Sequence, residues 1–198
     1  MHIVTTHKGA DFDALASIVA ANLLYPGIVT VLPGSLNPNV RAFLSLHKDL
    51  FGFCKSEDID PDMVDKLTVV DIDRWDRLDG LDRLKQNRHL EISLFDHHGN
   101  QGDINASWRC QEEMGANITL MIRYLKEQEI PITPVQASLF LAGLYEDTGN
   151  LTFLSTRAED AHAAAYLLEN GADLHLIGAF LSPIDDQARY RASARSGG

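Results

Sequence analysis

The apolar positions of this chain follow two alternating rhythms: short β-rich runs, and longer stretches with helical spacing. Ile3-Val4-Thr5-Thr6 reads as a strand, and Asp13 to Leu24 as a helix stopped by Pro26-Gly27. Ile28 to Leu32 is a second strand, closed by Pro33-Gly34. Asn37-Pro38-Asn39 starts a helix running to about Leu50, with Val40, Phe43, Leu44 and Leu46 at helical spacing. Leu67-Thr68-Val69-Val70-Asp71 is the clearest buried strand. Trp75 to about Gln86 is polar and reads as a surface helix, and Glu91 to Phe95 returns to strand. From there the pattern predicts helices over 116–128, 134–146, 157–169 and 173–181.

Strands alternating with helices predict an α/β fold: a parallel sheet with helices on both faces and a helical C-terminal third closing one side. Residues 1–186 form one lobe in this reading. The stretch 187–198 carries Arg189, Arg191 and Arg195 before Ser196-Gly197-Gly198, and reads as a flexible tail or the start of a linker toward a second lobe.

Composition narrows the classes. The chain has 198 residues, 45% hydrophobic and 23% charged, which excludes collagen-like and wholly disordered chains. A net charge of −11 argues against coating nucleic acid through bulk charge. Asp outnumbers Glu by 19 to 9, and Asp is the poorer helix former. Many of these aspartates therefore belong at strand ends, caps and loops, where most would simply be solvated. Cys54 and Cys110 stand apart without a CxxC pair, and no apolar run approaches the roughly 20 residues of a membrane span. The expectation is a cytoplasmic protein with no membrane contact.

Open parallel sheets gather ligands beyond the carboxyl ends of their strands. Here those ends deliver His7, Asp71, and Asp96-His97-His98. In His7-Lys8-Gly9-Ala10-Asp11-Phe12-Asp13 a strand-end imidazole precedes a short turn and two carboxylates at a helix start. One Asp there is an ordinary N-cap worth about 1 kcal/mol; capping accounts for one of the two and not for the histidine. Asp71 follows four apolar residues and needs a partner, which an arginine such as Arg74 or Arg77, close in sequence, could supply. Asp96-His97-His98 suits a metal ligand with an orienting carboxylate and a further phosphate or proton contact. Glu146-Asp147-Thr148-Gly149 closes an apolar helix, where a carboxylate is electrostatically misplaced unless a cation lies nearby. Four converging carboxylates would be costly without about two divalent ions to offset them. Hard oxygens with a minority of imidazoles suit Mn²⁺, with Mg²⁺, Co²⁺ and Fe²⁺ as rivals. No GxGxxG follows the first strand and no GxxxxGK[ST] loop exists, which disfavours a nucleotide-binding fold.

The ordered set His7-x3-Asp11-x-Asp13, Asp71, Asp96-His97-His98 and Asp147 resembles the four-motif signature of the DHH phosphoesterase superfamily. The stretches His7 to Ser17 and Pro33 to Val40 are similar to one bacterial branch. There a DHH module precedes CBS domains and a poly(A)-polymerase or tRNA-nucleotidyltransferase domain. The resemblance implies that His7, Asp11 and Asp71 surround one metal. Asp13, Asp71, His97 and Asp147 would hold a second, with Asp71 bridging. It implies His98 facing the scissile phosphate as a catalytic residue with Asp71, and Asp96 orienting the histidine pair. Hydrolysis is the implied chemistry, because two ions lower the pKa of a shared water and neutralise charge on phosphorus.

The leading expectation is therefore a two-metal phosphoesterase acting on RNA or short oligonucleotides, as the first part of a longer chain whose later domains are its partners. A weakly active RNA-handling or regulatory module of a polymerase is the alternative, and a manganese-dependent pyrophosphatase or exopolyphosphatase the third. Family members carry a second substrate-binding lobe, for which this length has no room. Lys8 and Arg74, and with them Arg41 and Arg77, are candidates for phosphate contacts, with plain solvation as their default. Trp75 and Trp108 would serve as buried anchors or stack on bases. Nothing in the pattern sets the oligomeric state.

Overall fold

The computed structural model describes residues 1–47, 51–99 and 102–181. The tail expected at 187–198 and the last turn of the helix expected to reach Leu50 lie outside the described residues. Twelve elements follow in order: β1 (His2–Thr5), α1 (Phe12–Leu24), β2 (Val29–Leu32), α2 (Pro38–His47), β3 (Phe53–Lys55), β4 (Lys66–Val70), β5 (Glu91–Asp96), β6 (Trp108–Gln111), α3 (Asn117–Glu127), α4 (Pro134–Thr148), α5 (Ala158–Glu169) and α6 (Leu174–Leu181). Apart from the surface helix expected over 75–86, the predicted strands and α-helices are present, with their described ends shifted by a residue or two. Two short strands, β3 and β6, come in addition. Both are edge strands with few buried positions, so they carry little of the apolar signal that marks a strand in sequence.

All six strands are parallel, in the order β3-β2-β1-β4-β5-β6. The chain builds outward from β1 to one edge, then restarts at β4 and builds to the other. The switch point lies between β1 and β4, where an open α/β sheet opens a crevice for ligands. Ile3 pairs with Leu67 and Thr5 with Val69, so the residues that follow these two strands emerge side by side.

The pleat divides the core. Val4, Val70 and Phe95 face a cluster built with the six α-helices. Ile3, Leu67, Val69 and Leu94 face the opposite way, onto Trp75, Leu78, Leu81 and Leu84. Helical segments thus cover both faces, but of different kinds. The second face carries the 3₁₀ turns Trp75–Arg77 and Asp82–Gln86 in place of the surface helix expected from 75 to 86. Of the four buried residues, Trp75 and Leu84 lie within these turns and Leu78 and Leu81 flank them, while Gly80, at φ +71°, interrupts any continuous helix between.

Helix α1 is buried almost all round, packed between the sheet and helices α3 and α4. Helix α4 starts on a capping box formed by Thr133 and Gln136 and ends on Gly149, whose φ of +56° closes the helix in the left-handed region. No helix among the described residues is long and apolar enough to cross a membrane.

Candidate metal centre

β1 runs into the turn His7-Lys8-Gly9-Ala10, which is pinned from both sides. Lys8 N donates to Arg77 O at 2.8 Å, and Gly9 N donates to Ser35 O at 3.0 Å. Asp11 then caps α1: its Oδ1 accepts from Ala14 N at 3.0 Å, leaving Oδ2 4.0 Å from His7 Nε2. Asp13 is fully buried one turn-position on, and it is met by a second helix end. Asn117 N donates to its Oδ2 at 2.6 Å and Ile118 N to its Oδ1 at 2.8 Å. These are amides of the first turn of α3, which have no partner within their own helix. The cap and the interhelix contact together account for both aspartates of the Asp-x-Asp pair.

Asp71 directly follows β4 with φ at +60°, in the left-handed region that costs a non-glycine residue energy. Its N donates to Phe95 O at 2.8 Å, which holds the turn. The twist places its carboxylate between two imidazoles. Oδ2 lies 3.4 Å from His7 Nε2, and Oδ1 lies 3.2 Å from His97 Nε2. His97 Nε2 is also 3.4 Å from Asp147 Oδ2 and 4.0 Å from Asp13 Oδ2. Each imidazole turns its other nitrogen to a backbone carbonyl: His7 Nδ1 to Lys8 O at 3.0 Å, and His97 Nδ1 to Met114 O at 3.1 Å. A carbonyl can only accept, so Nδ1 carries hydrogen and Nε2 is the atom offered to the cluster.

Three groups of metal-ligating atoms result among the described residues, His7–Asp11–Asp71, Asp13–Asp71–His97–Asp147 and Asp71–His97–His98, with the donor atoms of each within 4.8 Å of one another and Asp71 common to all; the first two are the ligand sets that the sequence pointed to. Within this cluster Asp71 Oδ1 and His97 Nε2 are buried and have no hydrogen-bond partner, although they face each other. Buried polar atoms without partners are rare. A cation between them would satisfy both, so the residues fit a metal site.

The protonation chemistry agrees. Burial raises Asp147, and Asp13, Asp71 and Asp11 push it further, up to about 9. Burial, then the charge of Asp71, lifts Asp13 well above the carboxylate range. Burial pulls His97 down, but Asp71 and Asp13 outweigh it and hold the imidazolium up to about 10. Burial works against the Asp71 anion too, yet His7 and His97 bring it down to about 2. Protein groups alone relieve the crowding by holding protons on Asp147 and His97; cations would do the same while releasing them.

Asp96 is fully buried, and its Oδ1 lies 2.7 Å from His98 Nδ1. The His98 side chain is 56% exposed, beside His97 at a ring-to-ring distance of 4.2 Å. Of the candidate phosphate contacts, Lys8 is exposed next to His7, whereas Arg74 forms a two-pronged ion pair with Asp76 at 3.1 and 3.2 Å. Trp75 is buried, with its N donating to Asp103, and Trp108 packs on Phe95 and Tyr124 while 40% exposed. One site residue escaped the sequence reading. Glu146 Oε2 accepts from Phe12 N at 2.7 Å and so ties α4 to the turn between Asp11 and Asp13. Burial raises its carboxyl to about 7. Its place beside Asp147 was the signal, but it reads as a solvated helix end until α1 and α4 are seen together.

Fold and site define a parallel α/β domain with a carboxylate–imidazole cluster of metal-ligand composition at its switch point. The chain belongs to the DHH family: residues 2–144 match the N-terminal domain of that family. It is 39% identical over 184 residues to an A-adding tRNA nucleotidyltransferase of Geobacter sulfurreducens, covering 92% of this chain and 21% of that protein. A bifunctional oligoribonuclease and PAP phosphatase, NrnA, of Mycoplasma genitalium is 27% identical over 110 residues, 55% of this chain and 35% of that one. Among solved structures, a Methanococcus jannaschii putative family II inorganic pyrophosphatase superposes with a TM-score of 0.73 at 20% identity, covering 91% of this chain and 60% of the other. That likeness is one of fold. The chain spans about a fifth of the length of the tRNA nucleotidyltransferase it matches.

Proposed function

We propose that this chain is the metal-binding lobe of a phosphoesterase that hydrolyses phosphodiester bonds of RNA or short oligonucleotides within a larger RNA-processing protein of the cytoplasm. The observation that carries the reading is Asp71. Its left-handed backbone offers one carboxylate oxygen to each of two histidines, at the point where both ligand sets meet.

His7, Asp11 and Asp71 would hold one divalent cation, and Asp13, Asp71, His97 and Asp147 the other; Mn²⁺ suits this mixture of oxygen and nitrogen donors. Such a pair supplies a water acidified toward neutral pH and charge neutralisation at phosphorus. The protein's own part is positional. The α3 amides fix Asp13, the carbonyls of Lys8 and Met114 fix the two ligand imidazoles, and Asp96 fixes His98. His98, with its side chain more than half exposed, would meet the phosphate, and Lys8, exposed and next to His7 in the chain, would make a second contact.

A second reading is an RNA-handling or regulatory module with little turnover, and two features count against catalysis on a polyanion. The net charge of −11 repels polyanions at long range, and Arg74 is occupied by Asp76. Incubating the Mn²⁺-loaded protein with bis-p-nitrophenyl phosphate separates the two. The phosphoesterase reading expects slow Mn²⁺-dependent hydrolysis that Asp71→Ala abolishes. Retained Mn²⁺ binding without hydrolysis would favour the second reading.

A further inference from the structure

Gln111 closes β6 opposite Asp96 of β5, and its side chain sits where the polar groups behind the histidine pair converge. Its amide nitrogen lies 2.9 Å from Asp96 Oδ2, 3.1 Å from His98 O and 3.2 Å from Asp73 Oδ2. Its carbonyl oxygen lies 2.6 Å from Arg109 Nη1. The guanidinium has only donors, so the Gln111 atom that faces it must be the carbonyl oxygen. Arg109 therefore decides which way the Gln111 amide faces, and the NH₂ group is turned toward Asp96 and His98. Arg109 is itself held in place, because Nη2 donates to Ile104 O at 2.6 Å.

The consequence passes to Asp96. This carboxylate is fully buried, so it cannot turn to water. Gln111 occupies Oδ2, which leaves Oδ1 for His98: the ring Nδ1 at 2.7 Å and the backbone N at 3.4 Å. A carboxylate offers no hydrogen of its own, so His98 Nδ1 must donate. The remaining ring atom, Nε2, then carries the lone pair when the imidazole is neutral. Were Oδ2 not held, the buried carboxylate could pivot and draw away from the ring, and His98 would lose the Nδ1 contact that selects its tautomer.

We propose that Gln111, oriented by Arg109, is a positioning residue for His98: it locks the Asp96 carboxylate, so that His98 keeps its Nδ1 hydrogen on Asp96 and leaves only Nε2 for contact with a substrate. The last clause rests on the phosphoesterase reading; the tautomer does not.

The test uses the 198-residue protein and two variants. Gln111→Met keeps the length and removes the donor, and Gln111→Glu places an oxygen against Asp96. Long-range ¹H–¹⁵N spectra recorded without added metal, above the pKa of His98, report its tautomer directly. The wild type should show hydrogen on Nδ1 only, and both variants a mixture. On bis-p-nitrophenyl phosphate with Mn²⁺, kcat should fall about tenfold in Gln111→Met, with KM and Mn²⁺ affinity within about twofold of the wild type. A mixed tautomer in the wild type, or an unchanged single tautomer in Gln111→Met, overturns the proposal, and the first of these needs no variant to fold. The expected tautomers with no hydrolysis by any form would keep the positioning role and defeat the phosphoesterase reading instead.

Discussion

Gly143 of α4 lies directly on Asp13 of α1: a methyl group at position 143 would stand 2.8 Å from Asp13 Cα and 2.9 Å from Phe12 O. The two helices touch backbone to backbone there. One turn further along α4, Asp147 comes within reach of His97, which also faces Asp13. The crossing thus sets the spacing of one ligand set.

Gly143→Ala weighs two effects against each other. Alanine gains up to about 1 kcal/mol in helix propensity, but the added carbon has no room, and overpacking costs about 1–3 kcal/mol. Overpacking should win. Urea denaturation is expected to show a less stable protein, and titration a weaker Mn²⁺ affinity, because Asp147 moves away from Asp13. A stabilised variant would refute the close-approach account.

Mn²⁺ should stabilise the wild type by mass action on the folded state. At about a hundred times Kd the gain is about 2.7 kcal/mol, or roughly 5–10 °C in Tm for a chain of this size. Asp71→Ala should lose most of that shift, since Asp71 belongs to both ligand sets. A thermal scan with and without Mn²⁺ checks this, and equal shifts in the two proteins would contradict a shared ligand.

Proton release follows from the raised groups. At pH 7 Asp147, at about 9, and His97, at about 10, both hold protons that a cation must displace. Mn²⁺ affinity should therefore rise as the pH goes from about 6 to 9. Without metal the sign for folding is the opposite. Both groups bind protons more tightly folded than unfolded, so their contribution is lost as pH climbs through about 9 to 10. Calorimetry in buffers of different ionisation enthalpy measures the protons released, and a count of zero at pH 7 would be inconsistent with this electrostatic picture.

His97 and His98 should separate cleanly. His97→Ala removes an atom offered to the cluster and should weaken metal binding. His98→Ala leaves His7–Asp11–Asp71 and Asp13–Asp71–His97–Asp147 intact and takes a member only from the group Asp71–His97–His98, so it should lower turnover with metal affinity nearly unchanged. Metal titration beside a rate measurement distinguishes them; matching losses of affinity would argue against the division.

Leu81 probes the other face. It is fully buried among Trp75, Leu78 and Leu84, on the side of the sheet away from the α-helices. Leu81→Ala should cost about 2–5 kcal/mol in a denaturation experiment while Mn²⁺ affinity stays the same. A fall in affinity matching the loss of stability would mean that the two faces are not independent.

Much of the molecule was legible along the chain. Runs such as Leu67 to Val70 and the helical spacing of α1 announce themselves because each element buries its own local pattern. The strand-end rule likewise singled out His7, Asp71, and His97 with His98, and the two carboxylates at the start of α1 exceeded what a cap requires. The apolar spacing of Trp75, Leu78, Leu81 and Leu84 was also present, but polar neighbours hid it, and only burial against the sheet revealed it.

The sequence by itself determined the alternation of strands and helices and the chemistry that each strand end carries, since both depend on neighbours within a few residues. Tertiary structure alone decided which of those groups meet and how they are held. The α3 amides reach Asp13 across more than a hundred residues, Glu146 reaches Phe12 across 134, and Gly143 sets the α1–α4 crossing. The left-handed turn at Asp71 and the chain from Arg109 through Gln111 to His98 belong to the same class. Free helix-end amides, unpartnered carboxylates and bare glycine backbone look alike in any sequence. Their meaning comes from the group that packing brings against them, and packing is a property of the whole fold.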